Sequence, residues 1–430
     1  MKQFRACSPR GALAAAVALL LAGCAVEADG EATYPRFSLV GAPRREVIYE
    51  YSISASDIRP ITGRVSSNDR SLIVEVPSGR GRRIEFKAID DVYSGAASVD
   101  LRPGARTSVA IRLYPGPVFP DALANRIVQF RDIGGAGLRT ASAAIAEEFV
   151  PVDAAYDPAG RLWVISSVDG EGAEEIFLAT DLAPRSVDLG AVVGETSLAP
   201  SSIAVDPSTG RVFVASSADG APIFEIVEVR GELTLSGESI VLGEVLGGDY
   251  QNPVVSGMSV DGSGRLYVLF YENTDGGRVA VTAVNPDRGT VLAGPADLPR
   301  ASVPLYAANY HARPPVGDVL ALDGELFVIT SAVAEGEPVA FRYDAGLSRR
   351  TSWGVLGDSA RSGSFLGPRR FVAARTHDRL LVIDQPDGDF GASEPGRVVA
   401  FRFGTTNGWA VYEERGGLTL FDTAIDVGER

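Results

Sequence analysis

Five segments of this sequence share one pattern, a strand, a tight turn and a second strand, which constrains the fold more than any other feature. An aspartate stands at each turn, and successive turn aspartates are 49, 55, 62 and 55 residues apart. Repeats of this length are typical of β-propeller blades, sheets that bury their faces only by stacking on neighbours. The segments are 151–167, 200–217, 255–269, 316–329 and 368–383, with Asp157, Asp206, Asp261, Asp323 and Asp378 at the turns.

The residue types suit these positions. Asp-Pro-x-Gly and Asp-Gly sequences supply the side-chain acceptor and the positive φ that a reversal between two strands needs. The first strand is small and apolar, whereas the second carries bulk for packing between blades, namely Trp163, Phe213, Tyr267 and Phe327. A third run follows each pair, at 176–179, 224–229, 279–284, 339–343 and 398–403. We expect a fourth, outer strand as well, for example at 238–242.

The repeated Asp-Pro-x-Gly-Arg-hydrophobic-aromatic-Val core and the Asn-Arg-Ile-Val run at 125–128 resemble NHL-type and Tol-B-like six-bladed propellers, over about residues 120–425. Residues 125–132 resemble a third strand before the first repeat, and residues 417–421 a lone first strand. Joined, these two pieces form one blade from both chain ends, which predicts a closed six-bladed ring without free sheet edges. A five- or seven-bladed ring is the alternative.

The N-terminus has the features of an exported protein. Lys2, Arg5 and Arg10 flank an apolar run at 11–22 that is too short for a membrane span. The run ends in Leu-Ala-Gly-Cys24, which resembles the lipobox of bacterial lipoproteins. This resemblance implies a signal peptide at 1–23 and lipid, including palmitate, on Cys24. The protein is then anchored in the cell envelope, at the periplasmic face or the outer surface.

The rest of the chain completes an all-β organisation. Residues 24–45 are polar and aperiodic and predict a lipidated tether that lifts the folded part off the membrane. Residues 46–114 contain short alternating strands and predict a small β-sandwich, which resembles immunoglobulin-like or prealbumin-like domains. A proline-rich linker follows at 115–124, and the propeller occupies 125–430.

The net charge of the chain limits its possible binding partners. The formal net charge is −15, and removal of the three basic residues of the signal peptide brings the mature chain to −18. Nucleic acid is repelled by such a chain. The same averaged charge disfavours a basic contact with anionic lipids and leaves the acyl chains as the membrane contact.

Propellers bind ligands at the mouth of the central channel, on residues that lead into the innermost strands. The alignment places Asp153, Ser201, Ser256, Asp318, Arg369 and Arg370 there. The aromatic and polar loop at 306–313 precedes the fourth of these strands, and its Tyr310, His311 and Arg313 are candidates for ligand contact. The alternative is that this loop only covers a sheet edge.

The sequence offers incomplete residue sets for two kinds of catalysis. The ring resembles gluconolactonase-type propellers, which implies a divalent cation such as Ca²⁺ on the axis, and Asp153 and Asp318 suit that role. Asn252 is the single asparagine near another such position and no matching glutamate is present, so the pattern departs from that family. Nucleophilic catalysis lacks a base, because the alignment places His377 at a hairpin tip and leaves His311 alone. Acidic glycine loops, such as 387–391 with Glu394, fit turn chemistry better than calcium binding.

We therefore expect an envelope lipoprotein whose propeller binds a protein or a small ligand, with no catalytic residues, metal or cofactor. One alternative is a divalent-cation-dependent hydrolase or lactonase built on Asp153 and Asp318. A second alternative is a purely structural scaffold. The membrane is a partner through the lipid on Cys24.

Overall fold

The computed structural model describes the chain in segments. These are residues 31–41, 46–69, 71–89, 93–113, 116, 118–121, 126–129, 141–144, 150–158, 161–167, 175–180, 183–194, 198–303, 316–322, 324–357, 364–365, 368–371, 379–384, 397–402, 407–414 and 417–426. The predicted signal peptide and Cys24 lie outside them.

The described residues are almost entirely β-strands, which confirms the all-β prediction. Their helices are α1 (Leu189–Val193), α2 (Leu242–Val245) and one 3₁₀ turn (Ser67–Asp69). Within this part of the chain, no helix is long and apolar enough to cross a bilayer.

The chain divides into two compact units, the first covering 1–90 and 94–113, the second 91–93 and 114–430. The first unit contains one sheet of order β4-β3-β7-β8, one of order β5-β2-β9, and the pair β1-β6. Its strands are β1 (Ala32–Thr33), β2 (Arg36–Val40), β3 (Ile48–Ala55), β4 (Ile58–Ser66), β5 (Ser71–Ile73), β6 (Val76–Pro77), β7 (Gly79–Ala88), β8 (Ser94–Leu101) and β9 (Ser108–Arg112). Fully buried side chains in both larger sheets, including Phe37, Tyr49, Phe86 and Ile111, supply the core.

The prediction of a tether over 24–45 is wrong for residues 32–40, which form β1 and β2. Thr33, Pro35 and Phe37 are buried, whereas the residues between them are exposed. This period of two is the pattern of a half-buried strand. β2 pairs with β5 and runs parallel to β9, about seventy residues later, so its pairing depends on a distant segment.

The described residues of the second unit form six sheets in chain order. The first sheet contains β10 (Val118–Asp121), β11 (Arg126–Gln129) and β12 (Ala141–Ala144). The second contains β13 (Val150–Tyr156), β14 (Leu162–Ser167), β15 (Glu175–Thr180) and β16 (Ala183–Asp188). The third contains β17 (Pro200–Val205), β18 (Val212–Ser216), β19 (Pro222–Val229), β20 (Glu232–Leu235) and β21 (Ile240–Val241).

The fourth sheet contains β22 (Pro253–Val260), β23 (Leu266–Glu272), β24 (Gly277–Asn285) and β25 (Thr290–Val303). The fifth contains β26 (Gly317–Leu322), β27 (Glu325–Thr330), β28 (Pro338–Asp344), β29 (Arg349–Leu356) and β30 (Ser364–Phe365). The sixth contains β31 (Pro368–Phe371), β32 (Arg379–Asp384), β33 (Arg397–Arg402), β34 (Asn407–Glu414) and β35 (Gly417–Asp426).

All five predicted hairpins are confirmed as antiparallel pairs, each with a third strand against the second. The first strands of sheets two to six contact one another in chain order. The predicted bulky residues pack between neighbouring sheets, since Trp163 shares a buried cluster with Ile203, Phe213 with Met258, and Tyr267 with Val319.

The turn aspartates act as the sequence predicts. Asp157 accepts a hydrogen bond from the backbone nitrogen of Arg161 at 2.9 Å, and Asp206 from that of Ser208 at 2.7 Å. Asp261 accepts from the backbone nitrogens of Ser263 at 2.8 Å and Arg265 at 3.0 Å. Each carboxylate therefore accepts hydrogen bonds from the backbone amides of its turn, in the place of water. Asp323 and Asp378 lie outside the described residues.

Two details of the predicted ring are wrong. Residues 417–426 (β35) pair with β34, and residues 126–129 (β11) pair with β10 and β12, so the two chain ends do not share a sheet. β34 and β35 are joined by only two residues, and such a local hairpin closes at a lower entropic cost than pairing with a distant strand. β10 also occupies part of the segment predicted as a linker.

The outer strand of the third sheet differs from the prediction too. β20 (232–235) follows β19 directly, because Arg230 and Gly231 both take positive φ and form a two-residue turn. Within the segment predicted as the outer strand, residues 240–241 pair with the other end of β19 and Leu242 begins α2.

Candidate functional site

The first strands of sheets two to six carry one structurally equivalent position each. The residues at this position are Asp153, Ser202, Gly257, Asp318 and Arg370. Their pairing partners across the hairpin are, in the same order, Ile165, Ala215, Leu269, Ile329 and Ile383. In four of the five strands a β-bulge lies directly before this position. A bulge re-aims the side chain that follows it, so these residues need not follow the regular alternation of the strand.

Arg370 connects these strands through its guanidinium group, and the residue is 3% exposed. Its Nη1 donates to Asp153 Oδ2 at 3.2 Å and to the carbonyl oxygen of Ser256 at 2.8 Å. Its Nη2 donates to the carbonyl oxygen of Ser201. Nη1 also lies 4.0 Å from Asp318 Oδ1. One side chain of the sixth sheet thus contacts residues of the four preceding sheets.

The two carboxylates have further donors. Asp153 Oδ2 accepts from Ser202 Oγ at 2.9 Å and from the backbone nitrogen of Ile203 at 3.0 Å, both in the next sheet. Asp318 Oδ2 accepts from the backbone nitrogen of Phe371 at 2.9 Å, again in the next sheet. Each carboxylate therefore holds its own strand against its neighbour, and buried polar groups need such partners.

The electrostatics of this axial cluster, defined as Asp153, Asp318 and Arg370, are unbalanced. Burial raises the pKa of Asp318 to about 7; the positive charge of Arg370 opposes this shift and the negative charge of Asp153 adds to it. Two carboxyl groups face one guanidinium, so a proton on Asp318 would leave one carboxylate with one cation.

Close approach of the strands explains the small residues at this level. A Cβ atom on Gly257 would lie 2.1 Å from Asp318 Oδ1 and 2.7 Å from Asp318 Cα. Ser256 Oγ donates to the carbonyl oxygen of Gly317 at 2.6 Å and accepts from its nitrogen at 3.1 Å. β22 and β26 are therefore joined without space for a larger side chain between them.

One end of the fourth sheet, where β22 begins and β23 ends, is also held together. Glu272 accepts from the backbone nitrogen of Gln251 at 2.9 Å and from Arg278 Nε at 2.8 Å. Arg278 stacks over the ring of Tyr250 at 4.1 Å, and Tyr250 donates to Asp297 at 2.7 Å. The loop before β22 is thereby linked to the loop between β23 and β24, which gives this part of the fourth sheet a rigid end.

The structure brings together three of the predicted site residues, Asp153, Asp318 and Arg370, and Ser201 and Ser256 contribute carbonyl oxygens. Arg369 lies in β31 before Arg370, and its side chain is outside the described set. Tyr310, His311, Arg313 and Cys24 also lie outside it.

Sequence reasoning missed Ser202 and Gly257. A signal for both was present, because each stands four residues before a turn aspartate, as Asp153 does.

The arrangement restricts the chemistry of the axial cluster. Arg370 places its positive charge between the two carboxylates that the cation-dependent alternative needs as ligands. A divalent cation there would have to displace the guanidinium or suffer its repulsion. Among the described residues, no group of three or more His, Cys, Asp or Glu is placed to hold a metal ion.

Comparisons with known proteins add little. No protein-family model and no curated protein matches the chain. A protein of unknown function from Bacteroides caccae is 11% identical, over 67% of this chain and 89% of that one, with a TM-score of 0.41. A Hadza microbial sialidase is 9% identical, over 85% and 82%, with a TM-score of 0.41. A putative 6-phosphogluconolactonase from Bacteroides uniformis is 12% identical, over 71% and 94%, with a TM-score of 0.30. Scores and identities this low assign neither a family nor an activity.

Proposed function

We propose that this protein is a lipid-anchored protein of the cell envelope whose second unit is a six-bladed β-propeller that binds a protein or small ligand without catalysis. The contact of Arg370 with residues of four other sheets is the observation that carries the proposal. A single side chain reaches β13, β17, β22 and β26 only if these first strands converge around an axis. The first unit, a small β-sandwich in this proposal, then separates the anchor from the propeller.

The position of Arg370 favours binding over cation-dependent hydrolysis. The guanidinium donates to Asp153 and to two backbone carbonyls, so its two Nη groups join strands, whereas its buried Nε has no hydrogen-bond partner among the described residues. A propeller with such a centre is a rigid frame, and its ligand contacts belong on the surrounding loops. We retain the loop at 306–313, with Tyr310, His311 and Arg313, as the proposed contact.

Calcium titration distinguishes this function from the hydrolase alternative. We expect the purified mature chain to show no binding of Ca²⁺ or Zn²⁺ that depends on Asp153, because Arg370 already neutralises that carboxylate. Titration calorimetry and elemental analysis measure this directly. Stoichiometric metal that is retained by the wild type and lost in Asp153→Ala would contradict the proposal and favour the hydrolase.

Metabolic labelling tests the anchor. We expect a radioactive fatty acid to label the protein, and labelling to disappear in Cys24→Ala, because the lipobox cysteine is the only thiol of the mature chain. Persistent label in Cys24→Ala would contradict lipidation at this residue; the Cys7→Ala variant, altered only within the signal peptide, is the matched control.

A further inference from the structure

Three large apolar side chains near the start of the first unit and in β5 are exposed. Tyr34 and Ile73 are each 63% exposed, and Val40 is 42% exposed. Val40 and Ile73 lie on the outward side of the sheet β5-β2-β9, on the same side as Arg36 and Arg112, because Arg36 pairs with Ile73 and Val40 pairs with Arg112. Tyr34 stands two residues before Arg36 and, like Arg36, is exposed, whereas Pro35 between them is buried. We call Tyr34, Arg36, Val40, Ile73 and Arg112 the outer face. Apolar side chains that alternate with cationic ones are a composition suited to a lipid-water interface.

Charge is divided unevenly between the two units. Residues 31–113 contain thirteen Lys and Arg and ten Asp and Glu, a net charge of +3. Residues 114–430 contain 24 basic and 43 acidic residues, a net charge of −19. The net negative charge of the mature chain, which disfavours contact with anionic lipids, therefore comes from the second unit and not from the first. An anionic surface attracts the first unit and repels the second.

The anchor leaves little room between this face and a membrane. The described fold begins at residue 31, and Cys24 and Ala32 are eight residues apart. An extended chain of this length spans at most about 29 Å. A compact unit the size of residues 31–113 has a radius of gyration of about 12 Å. The connection to the proposed lipid is thus no longer than the unit is wide, and it leads directly into β1 beside Tyr34.

We propose that the outer face lies on an anionic lipid surface. Tyr34, Val40 and Ile73 then enter the headgroup region, and Arg36 and Arg112 pair with lipid phosphates. This proposal rests on the proposed lipid anchor, which supplies the proximity. In this proposal the first unit contacts the bilayer directly, whereas the expected tether would hold it away from the membrane.

Vesicle binding of a chain without lipid tests the outer face by itself. The mature chain with Cys24→Ser is titrated with vesicles of phosphatidylcholine alone and of phosphatidylcholine with phosphatidylglycerol. We expect binding to the anionic vesicles, and a loss of at least about tenfold in Tyr34→Ser/Ile73→Ser. We expect Arg36→Gln/Arg112→Gln to remove most of the preference for phosphatidylglycerol.

The matched control is Val229→Ser/Leu292→Ser in the second unit, where the two side chains are 52% and 49% exposed. This variant loses a similar apolar surface and is expected to bind as the parent chain does. Because all these positions are exposed, the urea midpoints should coincide and exclude unfolding as the cause. Equal losses in both pairs, or no binding of the parent chain to anionic vesicles, would overturn the proposal.

The two experiments distinguish an error in the proposed anchor from an error in the proposed outer face. Fatty-acid labelling without vesicle binding contradicts the outer face and leaves the anchor standing. Vesicle binding that depends on Tyr34 and Ile73, without labelling of Cys24, supports the outer face and contradicts the anchor.

Discussion

Replacement of Arg370 by alanine is expected to lower the free energy of unfolding of the second unit by about 3–5 kcal/mol. The side chain is 4% exposed, and its guanidinium is the cation between Asp153 and Asp318. Its removal takes the guanidinium counter-charge from two buried carboxylates and one hydrogen bond from each of two backbone carbonyls. Removing one partner of a buried charged network is strongly destabilising, because the remaining charges stay buried without compensation. This loss in the free energy of unfolding is much larger than the difference between the intact network and apolar residues in its place.

The three tryptophans make this measurement specific. Trp163, Trp353 and Trp409 all belong to the second unit, so tryptophan fluorescence in urea follows that unit and not the first. Arg300→Ala is the control: this arginine pairs with Glu337 but is 73% exposed, and its loss should cost no more than about 1 kcal/mol. Similar midpoints for the two variants would contradict the role given to Arg370.

The effect of Arg370→Ala should depend on pH with a definite sign. In the wild type burial already raises the pKa of Asp318 to about 7, above its ordinary value of 3.8. Its neutral form therefore favours the fold at low pH, and this contribution is lost as the pH rises from about 4 to above 7. Without Arg370 the folded-state pKa rises further, so wild type and variant lose this contribution in parallel up to about pH 7. The deficit of the variant should therefore be constant below about pH 7 and should grow above it.

The strand pairs of the second unit were predictable because their signals are local. A turn aspartate, a glycine and alternating side chains lie within about fifteen residues, and the hairpin they specify needs no distant partner. β2 lacked such a signal, since it pairs in parallel with β9 across the whole first unit. The joined blade failed for the related reason that residues 417–426 meet a nearer partner in β34.

The axial cluster was predictable in its members and not in its interactions. Asp153, Asp318 and Arg370 follow from their places in the aligned repeats. That Arg370 would occupy the space between the two aspartates depends on the length of its side chain and on the convergence of several strands. The repeat pattern specifies neither, and it therefore left a divalent cation as an alternative occupant of the same place.

Replacement of Gly257 by alanine tests how closely these strands must approach. The added Cβ would lie 2.1 Å from Asp318 Oδ1 and 2.7 Å from Asp318 Cα, and backbone cannot move aside as a flexible side chain can. β22 is buried along its whole length, so its displacement from β26 disturbs packing on both sides. We expect a loss of about 3 kcal/mol in the free energy of unfolding, measured by tryptophan fluorescence in urea.

Gly262→Ala supplies the comparison for Gly257→Ala, because Gly262 lies in the turn of the same hairpin and has no atom within 4 Å of an added Cβ. This variant should unfold at the same urea concentration or slightly above, since alanine reduces the freedom of the unfolded chain. The two variants separate a steric effect at the contact between β22 and β26 from a general effect of removing glycine. If Gly257→Ala were as stable as Gly262→Ala, β22 and β26 would not approach as closely as described, and the contact of Arg370 with both would lose its geometric basis.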